Sequence, residues 1–132
     1  MEGSFMATTE KIIENLILDW LKAKQIGLFW KNQSTGIYDP VKKTFRKSYN
    51  KHHLNGVSDI LGIVNGRFIA IEVKTKRGRP TENQTNFIRS IIDNGGIAFI
   101  ARSIEDVEEG TNNVLTSGSS DNYRIEITGV NN

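Results

Sequence analysis

Apolar residues recur at helical spacing near the start of the chain, at Ile13, Leu16, Ile17, Trp20 and Leu21. This stripe predicts a helix over residues 8–24, capped by Thr8 or Thr9. "GLFWKN" at 27–32 predicts a short strand, and a long polar, basic stretch follows from Gln33 to Asn55. Two apolar runs come next, at 57–64 and 67–75. Asn65-Gly66 lies between them and is a strong hairpin signal. The second run, "RFIAIEVKT", alternates, with Phe68, Ala70, Glu72 and Lys74 on one face and Ile69, Ile71 and Val73 on the other. Thr81 caps a second predicted helix with Phe87, Ile88, Ile91 and Ile92 on its apolar face, and Gly95-Gly96 ends it. "IAFIA" at 97–101 predicts a buried strand, and "SIEDVEE" at 103–109 a short acidic helix. "YRIEITG" at 123–129 suits either an edge strand or an ordered tail. The element order αβββαβ predicts an α/β fold, with a central mixed sheet because the hairpin is antiparallel.

The 132 residues suit a single domain. The chain has no Cys, which excludes disulfides, thiolate metal sites and thiol nucleophiles. No apolar run approaches the ~20 residues that cross a bilayer. "MEGSFMATTE" has neither the basic nor the apolar segment of a secretory signal, so the expectation is a soluble intracellular protein with no membrane partner. Met6 is an alternative start to Met1. Net charge is only +2, but it is segregated. Residues 42–55 carry five Lys or Arg and residues 74–79 four more, with no acid in either window, while acids collect at 105–109. A basic surface on a near-neutral chain points to a polyanion.

Within the hairpin, Glu72 and Lys74 project from one face of the second strand, and pairing can bring Asp59 beside them. Two carboxylates on adjacent strands repel unless a cation lies between them. Mg²⁺ suits the place, because it takes one or two carboxylates and leaves positions for water and phosphate. Asp59 and Glu72 supply the carboxylates, and the Val73 main-chain carbonyl can add a third oxygen. Lys74 then stands where it can stabilise charge or handle a proton.

"GVSD" at 56–59, "EVK" at 72–74, "GRPTENQ" at 78–84 and Gly95-Gly96 before the last core strand resemble the PD-(D/E)XK nucleases, and most closely their virus-type replication-repair (VRR-NUC) domain. The likeness spans about residues 8–107, and Ser58 stands where the family usually has Pro. It implies a restriction-endonuclease-like core over residues 1–107, with 1–7 flexible and 108–132 a polar extension. It implies Asp59 and Glu72 as acids for Mg²⁺ or Mn²⁺, Lys74 as the catalytic lysine and Gln84 as the motif glutamine. It also implies an acid on the first helix. Glu10 is preferred for its spacing to Trp30, and Glu14, one turn on, is the alternative.

Lys47, Lys51, His52, His53, Lys76, Arg77 and Arg79 are the candidate DNA contacts. Trp20 reads as core, whereas Trp30 and Tyr49 stay open. The resemblance implies a metal-dependent endodeoxyribonuclease acting on branched DNA such as a Holliday junction. It further implies a homodimer in a phage or prophage repair setting within a bacterial cytoplasm. A non-catalytic DNA-binding or assembly protein on the same fold is one alternative, and a sequence-specific restriction-type endonuclease is another.

Overall fold

The computed structural model describes residues 9–33, 37–46 and 51–116. Lys47, Tyr49, residues 1–7 and the 123–129 segment lie outside the described residues. Helix α1 spans Glu10–Lys24, and the Thr9 hydroxyl caps it by accepting from the Ile12 N–H at 3.2 Å. Ile13, Ile17 and Leu21 are buried, but Leu16 is 50% exposed. The apolar stripe is therefore narrower than its spacing predicts: the 13–17–21 row meets the core and Leu16 flanks it toward solvent. Glu14 occupies a buried position on this helix. Trp20 packs partly buried against the core, with the Lys24 ammonium 5.6 Å from its ring centre.

Strand β1 (Leu28–Lys31) is followed by β2 (Ile37–Asp39), β3 (Thr44–Arg46), β4 (Ile60–Val64) and β5 (Arg67–Val73). Helix α2 (Glu82–Asp93), strand β6 (Ile97–Ala101) and helix α3 (Ile104–Thr116) complete the described chain. The main sheet has the order β1-β4-β5-β6. Its first three strands pair antiparallel and β6 lies parallel to β5, giving the mixed α/β sheet the hairpin implies. Asn65 and Gly66 turn the hairpin with φ of 51° and 80°, the two positive values a type I′ turn requires. Ile60 then pairs with Ile71, and one further step sets Asp59 opposite Glu72.

Ile60, Val64, Ile69, Ile71 and Val73 meet Ile13, Ile17 and Leu21 of α1 and Val107 and Val114 of α3 in one core. Each such side chain withdrawn from water contributes about 1.5–3 kcal/mol before conformational entropy is counted. The opposite side of β5 carries Ala70 and Glu72, and α2 lies there, since its Gln84 reaches Glu72. Among the described residues, no helix is long and apolar enough to cross a membrane.

Two elements depart further from the sequence pattern. Part of the long polar stretch forms a second hairpin, β2-β3. Its turn is built locally, with Asp39 Oδ1 accepting from the Val41 and Lys42 N–H groups at 2.9 and 3.2 Å and Lys43 at φ 55°. The last helix also runs past residue 109 to Thr116. Thr111 tolerates burial there because its hydroxyl donates to the Val107 carbonyl at 2.8 Å, and Val114 adds a buried contact one turn on. The boundary expected at residue 107 thus falls inside α3.

Candidate active site

Asp59 lies just ahead of β4, and its position is fixed from two sides. Its main-chain carbonyl accepts from Asn32 N–H at 2.7 Å, and its Oδ2 accepts from Val73 N–H at 2.8 Å. Val73, the last residue of β5, is thereby tied to the acid beside it. Glu72, one residue earlier, is only 1% exposed. Its Oε2 accepts from Gln84 Nε2 at 3.0 Å, whereas Oε1 is buried with no hydrogen-bond partner among the described residues. Burial pushes the Glu72 carboxyl up to about 8, and the charge of the adjacent Asp59 adds to this while Lys74 opposes it.

Lys74 is buried just past the strand end, where its N–H donates to the Ala101 carbonyl at 3.1 Å. Its Nζ stands 3.7 Å from Glu72 Oε2 and 3.9 Å from Glu10 Oε2. Glu10, in the first turn of α1, is therefore the helix acid that reaches the cluster through Lys74. Glu14 instead forms an ion pair with Lys31 of β1 at 2.9 Å. Gln84 is fixed by a capping box: its Oε1 accepts from Thr81 N–H at 2.8 Å, and its own N–H donates to the Thr81 hydroxyl at 3.1 Å. Glu10, Asp59, Glu72, Lys74 and Gln84 come together from a helix start, a loop, a strand and a second helix start.

A cleft of about 670 Å³ opens beside them, lined by Asn32, Gln33, residues 52–57, Asp59 and Gln84. His52 and His53 are on its wall. Lys51 is exposed in the same segment, and Lys76, Arg77 and Arg79 are exposed in the loop after Lys74. Trp30 is 40% exposed on β1. A second cavity, of about 490 Å³ between β6 and α3, shares no residue with this cluster.

Three residues near the site escape the sequence pattern. Lys31 is held above its ordinary value by hydrogen bonding to and the charge of Glu14, with Asp59 adding in the same direction. It stands next to the acids only because β1 pairs with β4, a register the sequence does not state. Ser58 is fully buried and its hydroxyl has no partner among the described residues. Arg102 reaches back to the loop after Lys74.

Whether the residues suit a divalent cation can be tested on their chemistry. Among the described residues, no group of three or more His, Asp or Glu side chains could hold a metal ion. Two adjacent carboxyls, one with an unpartnered buried oxygen, are nevertheless a donor set that a hard cation with retained waters accepts. No protein-family model matches the sequence, and no curated protein matches it.

Proposed function

We propose that the chain is a metal-dependent endodeoxyribonuclease with a PD-(D/E)XK core of the VRR-NUC kind. The observation that carries this reading is the convergence of Asp59, Glu72, Lys74 and Gln84 at the open end of the β4-β5 hairpin, with the Glu72 Oε1 left without a partner. Asp59 and Glu72 would hold Mg²⁺ or Mn²⁺, and the Val73 carbonyl is the third candidate oxygen. Such an ion supplies Lewis-acid polarisation of a phosphoryl oxygen and makes water more acidic.

The side chains divide the remaining work. Lys74 places a positive charge where negative charge grows on the phosphoryl group, and its amine can exchange a proton with water. Glu10 and Glu72 hold that ammonium between them. Gln84 fixes the Glu72 carboxyl by one oxygen, which leaves the other for the ion. His52 and His53 on the cleft wall, with the exposed Lys51, Lys76, Arg77 and Arg79, would bind flanking phosphates, a contact that positions the duplex without reading sequence. Branched DNA, such as a four-way junction, is the proposed substrate and a homodimer the proposed form. Both rest on the family resemblance, as does a phage or prophage setting.

The test is incubation with labelled four-way junction, flap and linear duplex DNA in Mg²⁺, in Mn²⁺ and in EDTA, beside Glu72→Gln. Metal-dependent cutting that disappears in the variant supports the nuclease. Salt-sensitive binding without cutting in either metal replaces it with a DNA-binding or assembly role. Cutting of linear duplex at one fixed sequence replaces the junction reading with a restriction-type one.

A further inference from the structure

The loop after Lys74 packs Lys76, Arg77 and Arg79 into a few residues, and like charges this close repel within the ~10 Å screening distance at moderate salt. Left to itself, such a loop would spread. A further cation instead holds it together. Arg102 Nη1 donates to the Thr75 and Gly78 carbonyls, each at 2.6 Å, and lies 3.4 Å from the Lys76 carbonyl. The Gly78 N–H closes the same turn on the Thr75 carbonyl at 3.1 Å. Arg102 itself is anchored, since its N–H donates to Asp106 Oδ2 at 2.8 Å in the first turn of α3. With these carbonyls turned inward on the guanidinium, Lys76, Arg77 and Arg79 are exposed on the outside of the loop.

A neutral donor would hold the turn without adding to the repulsion. The use of a guanidinium concentrates positive charge next to Lys74, and a polyanion is the partner that gains from it. We infer that Arg102 is a positioning residue that holds loop 75–79 in the pose that presents Lys76, Arg77 and Arg79 to the DNA phosphate backbone beside Lys74. This rests on the proposed nuclease reading for its ligand, but the clamp itself can be read without DNA.

The experiment compares the full chain with Arg102→Met, Arg102→Lys, a loop variant carrying Lys76→Ala, Arg77→Ala and Arg79→Ala, and that loop variant combined with Arg102→Met. Limited trypsin digestion reports the loop, and anisotropy of labelled four-way junction DNA in EDTA over a range of salt reports binding. Arg102→Met is expected to speed nicking after Lys76 and Arg77. It is expected to weaken DNA binding roughly tenfold, with the salt slope reduced by about 2, as for two lost phosphate contacts. In the loop-variant background the same change should alter affinity less than about twofold, because the two act as one unit. Arg102→Lys, whose ammonium also donates to carbonyls, should restore most of both properties and carries the test if Arg102→Met folds poorly. Unchanged nicking, an unchanged salt slope or additive losses overturn the inference while leaving the nuclease reading intact. A wild-type chain that binds no DNA at any salt overturns both.

Discussion

Gln84 Nε2 stands 3.0 Å from Glu72 Oε2, so the first turn of α2 is bonded directly to the buried acid of the central strand. The same side chain completes the capping box with Thr81. Replacing Gln84 by Ala removes both roles and leaves Glu72 Oε2 short of a donor. The expected cost is about 1–2 kcal/mol in urea unfolding, the size of a lost cap together with a buried hydrogen bond. Under the proposed function, metal-dependent cutting should fall as well.

The metal-free protein should lose stability as the solution becomes alkaline. The Glu72 carboxyl sits near 8 in the folded chain against an ordinary 4.5. Between those values the native state keeps a proton that the unfolded chain has released. The resulting stabilisation is complete below about pH 4.5 and is lost as pH rises through about 8, with a range of up to a few kcal/mol. Thermal melts in EDTA from pH 5 to 9 measure it, and Glu72→Gln should flatten the curve.

Divalent cations should reverse that trend. An ion held by Asp59 and Glu72 requires the ionised carboxyl and competes with the proton. Mg²⁺ or Mn²⁺ should therefore raise the melting temperature more at pH 8 than at pH 6, and Glu72→Gln should remove the effect. A melting curve insensitive to both ions at pH 8 would count against the proposed cation site.

Glu10 and Glu14 lie one helical turn apart and should behave as opposites. Glu10 is exposed and meets the cluster through Lys74. Glu10→Gln should leave the melting temperature nearly unchanged and, under the proposed function, abolish cutting. Glu14 is 6% exposed and pairs with Lys31, so Glu14→Ala should lower the melting temperature clearly. Cutting intact in Glu10→Gln would pass the helix-acid role to Glu14.

Gly56 holds the cleft segment against the start of α2. Its φ is +76°, and a β-carbon there would lie 2.3 Å from the Asn83 carbonyl carbon and oxygen and 2.6 Å from Gln84 N. Gly56→Ala should cost about 2 kcal/mol or more in urea unfolding, because both strain and backbone overlap must be relieved.

The central hairpin was legible because its information is local. Asn65-Gly66 sets the turn, and alternation along β5 places Glu72 and Lys74 on one face, where their side chains stand 3.7 Å apart. Thr81 and Gln84 announce their helix start three residues apart, as a capping box does. The β2-β3 hairpin left a weaker trace, Asp39-Pro40, since its turn depends on Asp39 bonding its own loop rather than on a Gly pair. The full length of α3 was hidden by Gly110, Asn112 and Asn113, poor helix formers that the packing of Thr111 and Val114 overrides. Lys31 and Arg102 were invisible because single cations with distant partners carry no period. Of the five residues at the site, Glu10 alone needed the fold to separate it from a neighbour of the same type.

The cluster also has an order in which it can come into being. Asp59, Glu72, Lys74 and Gln84 belong to one continuous stretch of chain, and a hairpin followed by its helix can bring them together early. Glu10 belongs to the far end of the sequence and arrives only when α1 settles over the sheet. A copy whose first helix has not docked, or has peeled away, keeps the acid pair but loses one of the two carboxylates facing Lys74. Under the proposed function, competence is then a certificate of complete folding, and a half-made or damaged molecule is held harmless to the genome around it.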